Sequence, residues 1–389
     1  MTKVAMYTSS QLFCERSTGG VKRFLELFEG MKNKNIDVDL FCGDTQEVLA
    51  KNNVKAYSLK NANKSKNVFI PTEIKIFIKN INTIRSIKKM NYDAVIIFDV
   101  PTAIGLCLIG IKKIQLFIRQ DLIEYKRITI SNRVKNKLFT NIYLFFAMLW
   151  ETICLIRANK IFLQCKYDYN ALINRHRLIR NNIEKKSIIQ INNVNPSWIV
   201  KNSQEKIASK ENIFKSKNGE KDYFIVFVGN FSHDRKGYKI FLEAIKSLLD
   251  KNTSLKAIMI GDGKDLLSCK EKYKNYLDII FLGRLKNPIP IIKRCNLMVV
   301  PSLADSCPNT VMEALYNEIP VIGARSGGIP EILVNSDSLF DPDPSSLREK
   351  IEYYLNEDNL LTLKMQQKLR KKELEFDWFL KIIQLLELD

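Results

Sequence analysis

The second half of the chain holds two stretches whose side chains are suited to binding a charged sugar derivative. In the first, Arg235 and Lys236 follow an apolar strand-like run and precede an amphipathic helical pattern. Cations at a helix N-terminus oppose the helix dipole, so an anionic ligand between them explains their position better than solvation alone. Two adjacent cations can neutralise a diphosphate, whose negative charge grows when it departs as a leaving group. The pair therefore indicates a diphosphate site.

The other stretch contains two carboxylates with seven residues between them. Asp305 lies in a loop after a strand-like run, and Glu313 lies on the early face of a helix that Pro308 starts. The helix start, at Asn309 and Thr310, offers backbone amides that bind phosphate oxygens. Carboxylates accept hydrogen bonds from the hydroxyls of a sugar. Together these groups suit a sugar nucleotide.

A glycine pair, Gly19-Gly20, follows the first strand-like run and opens a helical pattern. Such glycines let the backbone approach a ligand, and a helix N-terminus favours an anion. Glycines before a helix also commonly just make a turn, so the pair alone leaves both interpretations open. The G-x-G-x-x-G fingerprint is absent from the sequence, which argues against a nicotinamide or flavin enzyme.

Short β-branched runs alternate with helical patterns along the whole chain. Seven runs before residue 192 and five after residue 222 predict strands, among them residues 4–8, 94–98 and 223–228. Their near-continuous apolarity suits strands buried on both faces of a parallel sheet. We therefore predict an α/β protein of two Rossmann-like, doubly wound domains that face a central cleft, where ligands bind.

The character of the sequence changes at the predicted domain boundaries. Residues 201–221 are polar and charged without a strong period, which predicts a linker between an N-terminal domain of residues 1–200 and a C-terminal domain of residues 222–375. Residues 376–389 have a helical pattern, and we expect this helix to cross back to the N-terminal domain.

The composition excludes several classes of protein. A chain with 46% hydrophobic and 26% charged residues is folded and globular. Its eight cysteines include no C-x-x-C pair and it has two histidines, so we expect reduced thiols and no metal site. No signal peptide pattern opens the chain, so we expect it in the cytosol. The net charge of +19 is scattered without a nucleic-acid-binding motif, which favours an anionic membrane or substrate over nucleic acid.

Two segments of the first domain bear on membrane binding. Residues 73–89 place Phe77 and four isoleucines on one helical face with basic residues elsewhere, and further basic residues precede the apolar residues 138–156. The latter contain Asn141 and Glu151 and barely reach a spanning length, so we predict an ordinary buried or amphipathic helix that does not span. A basic domain resting on an anionic leaflet is one hypothesis, and an ordinary core stripe is the other.

The motifs resemble those of the family-4 retaining glycosyltransferases, which have the two-domain fold called GT-B. The family pattern P-S-x-x-E-x-x-P-N-T-x-x-E-A is matched over residues 301–314, with Asp305 in the first acidic position. The resemblance extends to Gly19-Gly20, Arg235-Lys236-Gly237, Gly261-Asp262-Gly263 and the turn from Gly327-Gly328 to Glu331. It is specific in the second domain and loose in the first.

This resemblance implies a role for each site residue. The implied donor-binding residues are Gly19, Gly20, Arg235, Lys236, Asp305, Asn309, Thr310 and Glu313, and those implied in catalysis are Arg235, Lys236 and Asp305. The two cations would hold the donor diphosphate, Glu313 would hydrogen-bond the ribose, and Asp305 would hold hydroxyls of the transferred sugar. The glycine loop would close over the donor from the acceptor side.

The resemblance also implies an activity. A hexose-type sugar would pass, with retention, from a nucleotide-diphosphate sugar to a saccharide or lipid-linked saccharide acceptor, in surface polysaccharide or glycolipid biosynthesis. The leaving phosphate would take the acceptor proton, because no protein nucleophile is obvious. No metal and no cofactor besides the donor substrate is implied. The enzyme would work in the cytosol, against the inner face of the plasma membrane if the membrane hypothesis holds.

The chain departs from the family pattern in three places. Asp305 is one methylene shorter than the usual glutamate, and Asn230 stands where an arginine is common. Arg119, Gln120 and Asp121 stand where a histidine is expected after a strand. These departures keep open a GT-B module that binds sugar nucleotides without turnover. An epimerase or a storage-glucan synthase on the same fold is a further alternative, for which the sequence shows no clear sign.

Overall fold

The structure, a computed structural model of the 389-residue chain, describes residues 2–13, 19–60, 72–131, 137–193, 213–214, 222–232, 234–251 and 255–388. The chain divides into two compact units. One comprises Met1–Ile191 with Trp378–Asp389, and the other comprises Asn192–Asp377. The linker predicted at residues 201–221 lies outside the described residues, apart from 213–214.

The first unit is built on a parallel sheet of seven strands in the order β3-β2-β1-β4-β5-β6-β7. The strands are β1 (Lys3–Tyr7), β2 (Asp37–Cys42), β3 (Tyr57–Ser58), β4 (Ala94–Phe98), β5 (Ile114–Ile118), β6 (Lys160–Leu163) and β7 (Ser187–Ile189). Every residue of β4 and β5 is buried, which explains their continuous apolar sequence. The strand order reverses between β1 and β4, which is the switch point where such sheets bind ligands.

Nine helices of the first unit are described before the second unit begins. They are α1 (Gly19–Asn33), α2 (Gln46–Lys51), α3 (Thr72–Lys79), α4 (Ile81–Met90), α5 (Val100–Ile109), α6 (Leu122–Ser131), α7 (Lys137–Arg157), α8 (Lys166–Arg175) and α9 (Arg180–Lys186). The single helix predicted over residues 73–89 is wrong, because the chain breaks at Asn80. The buried Asn80 side chain donates to the carbonyls of Ile76 and Lys60 and accepts from the Lys60 amide, at 2.7 to 2.9 Å.

The helix α7 is half inside the unit and half on its surface. It is long and apolar enough to cross a bilayer by length and composition, yet 28% of its most apolar window is buried. Cys154 and Leu155, near its end, lie in the core, whereas Leu138 and Phe145 are exposed. The prediction of a buried or amphipathic helix is therefore confirmed as an amphipathic one, with Ala147, Glu151, Cys154 and Leu155 buried.

A buried polar network anchors the second half of α7. Glu151 is fully buried and accepts a hydrogen bond from Arg175 Nε at 2.9 Å. The same guanidinium donates to Asp121 at 2.9 Å, and Asp121 accepts the amide hydrogen of Glu124 at the start of α6. His176 Nε2 lies 2.7 Å from Glu151 Oε2. The network therefore ties α6, α7 and the end of α8 together, since a buried carboxylate is retained only where it is paired.

The second unit has a parallel sheet of six strands in the order β10-β9-β8-β11-β12-β13. The strands are β8 (Tyr223–Val228), β9 (Leu255–Ile260), β10 (Ile279–Gly283), β11 (Leu297–Val300), β12 (Val321–Ala324) and β13 (Leu339–Phe340). The sequence prediction missed β13, which has only two residues. This sheet reverses its order between β8 and β11, so each unit is a Rossmann-like, doubly wound domain as predicted.

The helices of the second unit cover both faces of this sheet's apolar strands. They are α10 (Tyr238–Leu249), α11 (Leu266–Lys272), α12 (Ile289–Ile292), α13 (Asn309–Tyr316), α14 (Ile329–Leu333), α15 (Pro344–Tyr354) and α16 (Glu357–Glu373). The last helix, α17 (Trp378–Leu386), lies in the first unit. There the Arg23 guanidinium stacks 4.9 Å from the centre of the Trp378 ring, and Phe379 packs against Gly30.

Candidate active site

Three loops meet at the carboxyl-terminal edge of the second sheet. One follows β8 and carries Arg235 and Lys236 in a single 3₁₀ turn, one follows β11 and carries Asp305, and one follows β12 and carries Gly327-Gly328. Because β8, β11 and β12 are neighbouring parallel strands, these loops emerge side by side. They lie at the switch point of the sheet, the position at which doubly wound sheets bind nucleotides.

Backbone hydrogen bonds hold the three loops together. The Leu303 amide donates to the Arg235 carbonyl at 2.8 Å, which joins the first two loops. The Gly328 amide donates to the Asp305 carbonyl at 2.9 Å, and the Ser326 hydroxyl donates to the Leu303 carbonyl, which joins the second loop to the third. The charged side chains thus stand on a backbone frame that does not depend on their own ion pairs.

Two glycines make this frame possible. Gly237 has φ +70°, and a Cβ there would lie 1.8 Å from the carbonyl oxygen of Pro301. Gly327 has φ +56°, and a Cβ there would lie 2.3 Å from the carbonyl oxygen of Asp305. A residue with a side chain is disfavoured at positive φ, and here it would also collide with backbone. Glycine is therefore required at both positions for the loops to approach each other.

Arg235, Lys236 and Asp305 form what we call the charged cluster. Lys236 Nζ pairs with Asp305 Oδ2, Arg235 Nη1 lies 3.5 Å from the same oxygen, and the guanidinium also donates to the Ala304 carbonyl at 3.0 Å. The exposed fractions of the Arg235, Lys236 and Asp305 side chains are 23%, 22% and 14%. The cluster therefore holds two cations and one carboxylate in contact at a site that is largely out of water, where charges interact more strongly than at the surface.

The electrostatics of Asp305 follow from this geometry. Burial alone would raise the pKa of its carboxyl group, because it disfavours the charged form. The positive charges of Lys236 and Arg235, together with the hydrogen bond from Lys236, outweigh burial and place the pKa below its ordinary value. Asp305 is therefore ionised at neutral pH and accepts hydrogen bonds only.

The helix α13 carries the remaining predicted donor-binding residues of the second unit. Val311, Met312, Ala314 and Leu315 are buried against the unit. Asn309, Thr310 and Glu313 are half-buried, and the four-residue spacing of Asn309 and Glu313 places them one turn apart on the same face. Pro308 is the N-cap and makes no side-chain hydrogen bond to the helix, while its carbonyl accepts from the Val311 amide at 3.1 Å.

The first unit has its own charged pair at the carboxyl edge of its sheet. Gly19 is the first residue of α1, and a Cβ at Gly20 would lie 1.0 Å from Arg119 Nη1, so the arginine occupies the space beside this glycine. Arg119, which follows β5, is ion-paired with Asp99, which follows β4 at the switch point. Asp99 has φ +75°, which is unusual for a residue with a side chain.

The structure brings some of the predicted residues together and not others. Arg235, Lys236 and Asp305 are in contact, while Gly19 and Gly20 belong to the other unit. Sequence reasoning missed Asp99 as a candidate. A carboxylate directly after the fully buried strand β4 was the available signal, because strand ends at a switch point commonly hold functional side chains.

Comparisons with known proteins agree with this architecture. Residues 208–375 match the family Glycosyl transferases group 1. The capsular polysaccharide biosynthesis glycosyltransferase CapM of Staphylococcus aureus is 25% identical over 213 residues, which is 52% of this chain and 55% of that protein. The chain spans about half or less of the length of the curated relatives it matches.

Solved structures resemble the whole chain at low identity. Sucrose-phosphate synthase from Thermosynechococcus elongatus has a TM-score of 0.71 at 15% identity, covering 100% of this chain and 98% of that one. HepE of Anabaena, solved in complex with UDP and glucose, has a TM-score of 0.66 at 15% identity with the same coverage. The chain therefore has the GT-B fold, and the segment that carries the charged cluster matches the glycosyl transferases of group 1.

Proposed function

We propose that the protein is a retaining glycosyltransferase of the family-4 type. It transfers a hexose-type sugar from a nucleotide-diphosphate sugar to a saccharide or a lipid-linked saccharide, in polysaccharide or glycolipid biosynthesis. The observation that carries this proposal is the charged cluster, held by backbone at the switch point of the second sheet within the segment that matches group 1 glycosyl transferases.

The charged cluster suggests how the second unit handles the donor. Arg235 and Lys236 bind the diphosphate and stabilise the charge that develops on it when the bond to the sugar breaks. Asp305 holds the two cations before the donor arrives and, as an ionised acceptor, takes hydrogen bonds from sugar hydroxyls afterwards. The amides at the start of α13 bind phosphate oxygens, and Glu313 bonds the ribose.

The chemical step follows from what this site provides. The bond from the anomeric carbon to the diphosphate oxygen breaks, and the acceptor oxygen bonds to the same carbon on the same face. The departing phosphate oxygen takes the acceptor proton, so no protein group is consumed. The cations supply the charge stabilisation that a divalent ion supplies in other transferases, and we expect transfer to be unaffected by EDTA.

The first experiment screens uridine, guanosine and adenosine diphosphate sugars for thermal stabilisation of the full chain. A donor that binds the native state raises its melting temperature by mass action. The donor found in this way is then tested for transfer, and Glu313→Ala is expected to lower turnover about tenfold or more because a charged hydrogen-bond partner is lost. If no nucleotide sugar stabilises the chain, the donor assignment is wrong.

A second candidate function is a GT-B module that binds sugar nucleotides without transferring the sugar. It is favoured by Arg119 in the place expected for a histidine, because Arg119 is already paired with Asp99. The two candidates differ in turnover. A chain that binds a nucleotide sugar and neither transfers nor hydrolyses it, with any acceptor tested, supports the module.

We also place the enzyme in the cytosol, at the inner face of the plasma membrane. The net charge of +19 attracts an anionic leaflet, and the first half of α7 exposes apolar side chains that can enter it. Co-sedimentation with vesicles of phosphatidylglycerol and phosphatidylcholine at low salt tests this. Absence of binding under those conditions contradicts the membrane location and leaves the transferase proposal standing.

A further inference from the structure

An apolar cavity of about 440 Å³ lies in the first unit among helices α3, α5, α6 and α7. Its floor is made by buried side chains of α5 and α6, which include Val100, Ile104 and Leu122. Its walls include Ile78 of α3 and Ile142 of α7, which are 61% and 48% exposed. The cavity is therefore deep at one end and open to solvent at the other.

The chemistry of the lining selects the kind of ligand. Most of its side chains are aliphatic or aromatic, and Lys126 is the one charged residue that lines it in the described part of the chain. A sugar or a nucleotide placed here would lose hydrogen bonds to water without replacing them, which is costly. A hydrocarbon chain has no hydrogen bonds to water to lose, and its binding removes apolar surface of both the chain and the cavity from water.

The size of the cavity separates a lipid chain from a protein partner. Its volume falls within the range of about 300–1,000 Å³ found for small-molecule sites. A docking helix with its side chains is about 10 Å wide and needs a long groove instead. The cavity is thus suited to one flexible chain that extends between the buried lining and the exposed wall.

Lys126 places a positive charge at this cavity. Its Nζ lies 5.7 Å from the centre of the Tyr143 ring, and Tyr143 also lines the cavity. Arg127, the next residue, is exposed. A ligand with an anionic head and a hydrocarbon tail therefore finds complementary groups for both of its ends.

The cavity lies beside the ligand edge of the first sheet. Val100 begins α5 directly after Asp99, which follows β4, and Leu122 begins α6 directly after Asp121, which lies in the loop after β5. Asp99 and Arg119, in the same two loops, form the charged pair next to Gly20. A molecule whose tail fills the cavity consequently has its head near the edge at which doubly wound sheets bind their ligands.

We infer that this cavity holds the hydrocarbon tail of a lipid phosphate, which is the carrier of the saccharide acceptor. The phosphate lies by Lys126, and the attached sugar extends toward the sheet edge. This inference rests on the proposed function, because it names the acceptor class of the transfer. It assigns a binding site for the lipid in addition to any general attraction of the chain to a membrane.

Binding is tested with dodecyl phosphate below its micelle concentration, measured by calorimetry on the full chain. Dodecyl maltoside serves as the control for the head group and inorganic phosphate as the control for the tail. We expect dodecyl phosphate to bind about tenfold or more tightly than either, because each control lacks one of two matched interactions. Equal affinity for all three, or no binding of dodecyl phosphate, overturns the inference.

A matched pair of variants locates the site. Ile142→Glu puts a charge in the cavity wall, whereas Leu149→Glu puts the same charge on the same helix outside the lining, at 47% exposure against 48%. We expect Ile142→Glu to weaken dodecyl phosphate binding about tenfold or more and Leu149→Glu to leave it unchanged. Equal losses would mean that the whole apolar face binds, which contradicts a specific cavity. Ile78→Glu, on the opposite wall, repeats the test if Ile142→Glu does not fold.

Trp150 lines the cavity, so its fluorescence can report binding there and not at other surfaces. Dodecyl phosphate brominated on its chain should quench tryptophan emission in the wild type, and the quenching should be largely lost in Trp150→Phe.

Competition identifies the source of the lipid. If vesicles containing phosphatidylglycerol displace dodecyl phosphate from the cavity, the occupant is a membrane phospholipid and the acceptor assignment is wrong.

Failure of this inference is separable from failure of the proposed function. Donor binding measures the second unit, and neither donor binding nor transfer to a soluble saccharide requires a lipid. Transfer to a soluble acceptor without dodecyl phosphate binding would leave the transferase proposal intact and remove the lipid site. Lipid binding without donor binding would support the lipid site and contradict the transferase proposal.

Discussion

Each sheet carries a group of charged side chains at its carboxyl-terminal edge, but the two units hold these groups in place differently. In the second unit the charged cluster stands on loops joined by backbone hydrogen bonds and by the close approach of Gly237 and Gly327. In the first unit Arg119 is placed by its ion pair with Asp99. A site fixed by backbone requires particular residues at particular positions, and it therefore leaves a motif. A site fixed by side chains leaves little trace in one sequence.

The largest effect is expected from breaking the backbone frame. Gly237→Ala should lower the free energy of unfolding by about 3 kcal/mol or more, because positive φ and a collision with the Pro301 carbonyl act together. Gly283→Ala is the matched control, since Gly283 has φ +69° but nothing within 4 Å of its Cβ position, and it should cost about 1 kcal/mol. Urea denaturation measures both. Equal losses would show that the approach of the loops contributes nothing.

Removing a charge from the cluster should act on turnover more than on folding. Lys236→Ala is expected to lower the transfer rate about 10²-fold, the usual effect of losing one preorganised partner of a developing charge. Lys239→Ala removes a lysine three positions on, which pairs with Asp234 at the surface, and should leave the rate unchanged. Steady-state kinetics with the identified donor measures the transfer rate of both variants. A wild-type rate in Lys236→Ala would refute the role proposed for Lys236.

The charged pair of the first unit should give a smaller effect. Arg119→Ala is expected to lower kcat/KM for the acceptor about tenfold, since it removes a charged hydrogen bond and leaves Asp99 unpaired. Donor affinity, measured by calorimetry, should not change. The control Arg180→Ala removes a surface arginine of the same unit, which pairs with Glu184. A loss of donor affinity in Arg119→Ala would assign this pair to the donor.

The smallest effect concerns the pH dependence of stability. The pKa of Asp305 is lower in the folded chain than its ordinary value, so its ion pairs contribute fully above about pH 4 and are lost as pH falls through the folded pKa. The contribution should be about 1 kcal/mol, the upper end of the range for exposed ion pairs, because these side chains keep exposed fractions of 14% to 23%. Wild type and Asp305→Asn should therefore differ in melting temperature at neutral pH and converge in acid. A difference that persists below pH 3 would contradict this.

The sequence predicted the fold in outline because buried parallel strands have a strong signature. Strands β4 and β8 were predicted with their observed bounds, and α13 was predicted to follow Pro308 as it does. The break at Asn80 was not foreseen, because it depends on hydrogen bonds with Lys60, twenty positions away. Short elements such as β13 have too few residues to show a pattern.

The candidate site was predictable to the extent that glycine and proline mark it. Arg235, Lys236 and Asp305 were grouped from the sequence, and the structure joins them in one cluster. Asp99 was missed although a carboxylate directly after the buried strand β4 was a usable signal, whereas the cavity has no local signal in the sequence. The cavity forms where four helices leave a space, and no single helix reveals it.

The network around Glu151 limits what α7 can do. If this helix left the unit to enter a bilayer lengthwise, Glu151 would enter hydrocarbon while Arg175 and His176 lost their shared acceptor. This free-energy cost arises only beyond the middle of the helix, where Glu151 lies. The first turns can therefore enter lipid while the last turns stay packed in the unit. Only the first half of α7 would then enter a membrane, so the helix would be inserted to one depth and in one orientation.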